Sequence, residues 1–338
     1  MSAPLSCIIG LTDTRLKKSE SLFLRDANPW GVILFSRNVK DPDQLRKLTG
    51  DIRDAMGRNT LIFIDQEGGR VQRMRAPHWR AFPSGDDYAR IYRKKRDVGL
   101  RACYLGHRLI ADDLRAVGIT SDCAPVLDLP QPDADPIISD RALGNTVEGI
   151  VDMANAAMAG LMSGGVAPVV KHIPGHGRAT VDSHKELPKI KANRNTLEAS
   201  DFLPFRKLHD APMAMTAHAV YSHNSRTAIT ISRKSLTELI RAAIGFDGLL
   251  MTDDLDMKAL TGDLTRKTER ALKAGCDIAL QCSGRLADSV KVAKGSQVLS
   301  GRAFARAMIA DNCADHITAF DRIAAEAEFD VLMSGGAA

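Results

Sequence analysis

The sequence predicts a single (β/α)8 barrel of the TIM type. Short apolar, β-branched runs alternate with longer stretches of helical period, and eight such runs occur. The first run is not followed by the G-x-G-x-x-G turn of an open, doubly wound dinucleotide-binding sheet. The runs are residues 7–11, 30–36, 60–65, 119–128, 168–172, 213–220, 249–253 and 277–281.

The intervening segments carry helix signals in order. After the second run, Asp41-Pro42-Asp43-Gln44 offers an N-cap, an N1 proline and an N3 glutamine, and Leu45, Leu48, Ile52 and Met56 follow at helical spacing. Arg93-Lys94-Lys95-Arg96 stands where another helical pattern begins and reads as a solvated face. Asn145 with Glu148, Asn195 with Glu198, and Ser235 with Glu238 have capping-box spacing, while Gly118 and Gly245 stand where helices should end. Beyond the eighth run only helical sequence follows, through residues 283–294 and 302–328. Residues 1–330 are therefore assigned to one catalytic barrel with C-terminal helices, and residues 331–338 to a flexible tail.

Composition narrows the function. Of 338 residues, 44% are hydrophobic and 26% charged, as in an ordinary globular protein. The 46 basic residues outnumber the 41 acidic ones only slightly and form no stripe, which argues against a nucleic-acid partner. The chain opens without a basic segment leading into an apolar one, and no stretch approaches a membrane span, so a cytoplasmic location without membrane association is expected. Six scattered cysteines without CxxC pairs read as reduced, structural thiols.

Chemistry in such barrels sits at the C-terminal ends of the strands. There the sequence places Asp65, Asp128, Lys171-His172, His218 and Asp253-Asp254. The densest cluster is Lys171-His172-Ile173-Pro174-Gly175-His176-Gly177-Arg178-Ala179-Thr180-Val181-Asp182-Ser183-His184, which reads as an acid/base apparatus or a metal site. His172 and His176 flank a proline in a loop where a zinc-binding pair usually occupies a helix, and Lys171 would repel a cation, so no metal is expected. Strand alternation should prevent Asp253 and Asp254 from both facing the mouth.

This segment resembles the signature of family 3 glycoside hydrolases, in the branch of bacterial β-N-acetylglucosaminidases that process cell-wall fragments. Gly31-Val32-Ile33-Leu34-Phe35-Ser36-Arg37-Asn38, Asp65-Gln66-Glu67-Gly68-Gly69-Arg70-Val71-Gln72-Arg73 and Phe246-Asp247-Gly248-Leu249-Leu250-Met251-Thr252-Asp253-Asp254-Leu255 resemble the same family, in the same order. The resemblance implies a hydrolase that releases terminal β-linked N-acetylglucosamine from peptidoglycan fragments. It further implies Asp253 as nucleophile, with Asp254 the fallback, and His184 as general acid/base assisted by Asp182. Asp65, Arg73, Arg141, Lys171 and His172 would hold the terminal sugar. Two-domain relatives take their acid from outside the barrel, whereas this chain stops after the barrel and should supply it from within. A carbohydrate substrate, no cofactor and no obligate protein partner are expected.

Ile173 stands where the family usually has phenylalanine, and Asp256 where serine is frequent, which bears on loop packing and fine specificity. Two other readings stay open on sequence. A β-N-acetylglucosaminide phosphorylase would suit a histidine acid, which does not repel phosphate as a carboxylate would. A non-catalytic sugar-binding barrel would keep Asp65 and Lys171 without needing both Asp253 and His184.

Overall fold

The computed structural model describes residues 3–335. Its centre is a parallel barrel of strands β1 (Leu5–Gly10), β2 (Pro29–Leu34), β3 (Leu61–Ile64) and β4 (Ser121–Asp122), followed by β5 in two segments (Ala167–Pro168 and Val170–Ile173). β6 (Met213–Thr216), β7 (Leu249–Asp254) and β8 (Ile278–Gln281) complete it. β1 pairs with both β2 and β8, and the first segment of β5 meets β4 while the second meets β6, so the ring closes. A bridge between Val126 and Lys171 extends the β4–β5 seam. Each of the expected apolar runs overlaps one of these strands.

Alternation along the strands creates two packed layers. Ile33, Leu61, Phe63, Met215, Leu249 and Met251 fill the barrel interior, while Val32, Leu34, Ile62, Ile64 and Leu250 face the helices. Each such large apolar side chain contributes about 1.5–3 kcal/mol on burial. The helices are α1 (Lys18–Ala27), α2 (Pro42–Met56), α3 (Gly85–Lys94), α4 (Arg96–Ala116), α5 (Val147–Ser163), α6 (Arg194–Ala199) and α7 (Leu203–Lys207). α8 (Arg233–Ser235) runs on into a π-helix over Leu236–Ile244, and α9 (Leu264–Ala274), α10 (Leu286–Gly295), α11 (Gly301–Asn312) and α12 (Arg322–Met333) follow. Arg306 of α11 binds the Asp247 carbonyl and the Asp277 carboxylate, just ahead of β7 and β8. This helix, whose Ala307 and Ala310 join the interior cluster, therefore covers the N-terminal end of the barrel and leaves the C-terminal end open.

Asp41 caps α2 as its sequence predicts, accepting from the Gln44 N–H at 2.8 Å. The other caps are displaced from the expected positions because several capping-type residues stand close together there. Thr146 caps α5, Asn193 caps α6 and Ser232 caps α8. Glu198 pairs with Arg194, and Glu238 accepts from Asn224. The basic run straddles the α3–α4 boundary, with Arg96 paired to Asp152. The expected helix over 302–328 is two helices, because Asp321 caps a new start by accepting from Ala324. α12 continues into the expected tail as far as Met333, since Phe329 and Leu332 are buried; residues 336–338 lie outside the described region.

Candidate active site

At the open end of the barrel a cavity of about 180 Å³ is walled by Asp65, Arg73, Arg141, Lys171, His172, His184 and Asp253. Strand parity accounts for three of these. Leu61 and Phe63 point inward and Asp65 continues that face, as Asp253 continues the face of Leu249 and Met251, and Lys171 that of Val169. Two local irregularities add their neighbours. Along β5, Lys171 pairs with Met215 but Ile173 with Thr216, so His172 is an inserted residue and also reaches the cavity. The pairing of β7 with β8 slips between Met251 and Asp254, so Asp254 lines the cavity beside Asp253. Strict alternation, which would have excluded Asp254, does not hold at this strand end.

The floor of the cavity is a buried ion network. Asp65 accepts from Arg73 at 3.0 Å and from Lys171 at 2.9 Å. Glu67 takes both ends of the Arg141 guanidinium at 2.8 Å and pairs with Lys171 at 2.6 Å. Lys171 is only 2% exposed, so it depends on both carboxylates for its charge. Burial pushes the Glu67 carboxyl up, but Arg141 and Lys171 outweigh it and bring it down to about 2. Glu67 was not among the sequence-derived site residues. Its signal was its position two residues from Asp65, on the same face of the extended chain.

A group depressed from 4.5 to about 2 stabilises the fold fully above pH 4.5 and loses that contribution as the pH falls toward 2. Glu67→Gln leaves Arg141 and Lys171 short of a carboxylate, and is expected to cost about 3–5 kcal/mol at neutral pH. Its stability should vary less than that of the wild type across this acid range. Thermal melts of both proteins from neutrality to pH 2 check both expectations.

Asp128, fully buried, orients the next layer. It accepts from His172 Nδ1 and from the His176 backbone N–H, each at 2.6 Å. Burial raises this carboxyl, but the His172 imidazole and its hydrogen bond outweigh it and keep it ionised, so His172 must carry its proton on Nδ1 and turns Nε2 elsewhere. Asn in place of Asp128 has one acceptor oxygen where three N–H donors converge, the His172 backbone being the third, and removes the charge. Asp128→Asn is expected to lower kcat/KM roughly tenfold or more, on the scale of one charged hydrogen bond. Steady-state kinetics with a matched circular-dichroism spectrum checks it.

Around Asp253, burial raises the carboxyl, yet His218, His172 and the Asp254 backbone N–H hold it below the ordinary aspartate range. Asp254 differs. Burial pushes it up to about 7, and its Oδ1 accepts from the backbone N–H groups of Asp256 and Cys282. One aspartate is thus ionised toward the cavity, and the other ties two loops together. His218 is spent on Thr230 and the Asp254 carbonyl.

The loop after β5 has a fixed base and an exposed tip. Tyr221 donates to the Gly175 carbonyl, Arg178 pairs with the buried Asp201, and a Cβ on Gly177 would fall 1.9 Å from the Leu129 carbonyl oxygen. Farther out, Asp182 Oδ1 accepts both the backbone N–H of His184 at 2.9 Å and its Nδ1 at 2.8 Å. The His184 side chain is 64% exposed but reaches the cavity wall, whereas Asp182 stays behind it. A carboxylate only accepts, so Nδ1 carries a proton and Nε2 is the nitrogen left to exchange one.

Among the described residues, no group of three or more His, Cys, Asp or Glu side chains is placed to hold a metal ion, and no helix is long and apolar enough to cross a membrane. All six cysteines are free, and Cys282 lies at the cavity edge.

A barrel whose open end gathers carboxylates, an exposed carboxylate–histidine pair and a cationic floor in one small cavity has the parts that a glycoside-cleaving enzyme needs. Residues 8–317 match the N-terminal domain of glycosyl hydrolase family 3. The chain is a glycoside hydrolase and belongs to this family. It is 40% identical to a beta-hexosaminidase of Alkalilimnicola ehrlichii, covering 82% of this chain and 80% of that one. It is 36% identical to a beta-hexosaminidase of Tolumonas auensis, covering 83% and 84%. Among solved structures it superposes on NagZ from Neisseria gonorrhoeae in complex with N-trifluoroacetyl-D-glucosamine, with a TM-score of 0.85, 28% identity and coverage of 99% and 97%.

Proposed function

We propose that this glycoside hydrolase is a retaining exo-β-N-acetylglucosaminidase with Asp253 as nucleophile and His184 as acid/base. The observation that carries the reading is the ionised Asp253 in the same cavity as a histidine whose Nδ1 is held by a carboxylate. In the first step an Asp253 oxygen bonds to the anomeric carbon, the glycosidic C–O bond breaks, and His184 Nε2 gives its proton to the departing oxygen. In the second, water gives a proton to Nε2 as its oxygen displaces Asp253, so the β configuration returns. Asp182 fixes the ring and its tautomer; it need not take a proton itself.

Asp65, Arg73, Arg141, Lys171 and His172 hold the terminal sugar in this reading. Carboxylate oxygens accept from neighbouring hydroxyls, and the cations donate to sugar and acetamido oxygens. The beta-hexosaminidase relatives and the N-trifluoroacetyl-D-glucosamine held by the Neisseria protein support an N-acetylglucosamine substrate. We take the natural substrate to be a peptidoglycan fragment, cleaved in the cytoplasm by the barrel with its C-terminal helices.

The test is nitrophenol release from aryl β-N-acetylglucosaminide and aryl β-glucoside in parallel, with chelator and without phosphate. Cleavage of the first alone is expected, with the β-anomer as first product by NMR. Preference for the glucoside would overturn the substrate, and an α-anomer the mechanism. Turnover only on adding phosphate, with a sugar 1-phosphate as product, would make the protein a phosphorylase.

A further inference from the structure

His176 has no part in the mechanism above, yet it stands in the same cavity. Its side chain is buried, with the residue 4% exposed, and lines the wall beside His172, ring centroids 5.8 Å apart. Among the described residues neither of its ring nitrogens has a hydrogen-bond partner. Buried imidazoles are normally satisfied, because an unmet donor or acceptor away from water is costly. The backbone that carries the ring is held in place. Its backbone N–H is held by Asp128 at 2.6 Å, and its carbonyl accepts from Ala179 at 3.0 Å.

The other polar groups of the cavity are committed differently. Arg73 and Arg141 donate to Asp65 and Glu67, and Lys171 to both. These are cations that only donate, and their partners are carboxylates that only accept. His176 is held neutral, its burial bringing the ring down to about 4 despite the Asp128 charge. A neutral imidazole offers a donor on one nitrogen and an acceptor on the other, and a hydroxyl, which can accept or donate, can satisfy whichever of the two it meets.

We propose that His176 is a further substrate-binding residue, one of whose ring nitrogens hydrogen-bonds a hydroxyl group of the terminal sugar. The assignment rests on the glycosidase reading and adds to it a recognition element carrying no charge. A hydroxyl read in this way is discriminated against its deoxy analogue, since the analogue leaves the ring unsatisfied again.

The experiment measures inhibition by N-acetylglucosamine and its 3-, 4- and 6-deoxy forms, for wild type, His176→Phe and His176→Gln. In the wild type each hydroxyl that is bound shows as weaker inhibition by its deoxy form. In His176→Phe the deficit at one position should collapse from about tenfold to within about twofold, while the deficits at the others persist. His176→Gln, which keeps a donor and an acceptor, should recover part of it. If the phenylalanine variant does not fold, the glutamine variant alone must still shift that one deficit. Deficits identical in wild type and every folded variant would overturn the role of His176 and leave the glycosidase reading intact. No inhibition of the wild type by N-acetylglucosamine would overturn both.

Discussion

Asp253→Ala is expected to lose on the order of 10⁴-fold or more in kcat, on aryl and oligosaccharide substrates alike. The loss should be general because every substrate must pass through the bond that this carboxylate forms. Asp254, also at the cavity, is poorly suited to replace it. Its Oδ1 is occupied by two backbone donors, and burial holds it near 7, so it is less ionised and less free to move. Added azide should restore part of the turnover of an activated aryl glycoside, expelling the aryl oxide and giving an α-glycosyl azide, since it attacks from the face that Asp253 vacates. A reversed pattern, with Asp254→Ala inactive and Asp253→Ala active, would exchange the two roles.

The second large effect belongs to His184 and depends on the leaving group. His184→Ala should lower kcat/KM roughly 10²–10⁴-fold for a sugar leaving group, which departs poorly without a proton, and far less for a nitrophenol. The ratio kcat/KM isolates bond breaking, so a slowed second step does not obscure the comparison. Asp182→Ala should move the same ratio in the same direction by less, because the ring remains but loses its orientation. Equal losses on both leaving groups would mean that His184 does not deliver the proton.

Much of the barrel was legible in the sequence because buried parallel strands need continuous apolar runs, and those runs survive without any tertiary information. Their lengths were less so. The run 119–128 predicts one long strand, yet only Ser121–Asp122 pairs regularly, since Pro125 has no N–H to give the ladder. Asp65, Lys171 and Asp253 could be placed because inward parity extends one step past each strand. His172 and Asp254 face the cavity only through register slips, which depend on the neighbouring strand and leave no mark on local pattern. Glu67 and His176 acquire their settings from Arg141, Lys171 and Asp128, brought together from distant parts of the chain. Asn145 and Thr146 show the same limit at a helix start: two adjacent residues could cap, and the second does.

The contrast between the fixed base and the exposed tip of the loop after β5 has an evolutionary consequence. The groups assigned to the sugar are anchored in the barrel by ion pairs that tolerate little change, whereas His184 sits in a short turn fastened to the barrel side by a bond from the Ala259 N–H to the Ser183 carbonyl. Selection can therefore vary the residues flanking Asp182 and His184, and with them the aglycone accepted and the timing of proton delivery, without redesigning the pocket for the departing sugar. Inhibitors divide along the same line: one that fills only the floor should act across proteins sharing that floor, and one that reaches past Asp182 and His184 to the residues flanking them can distinguish proteins in which those residues differ.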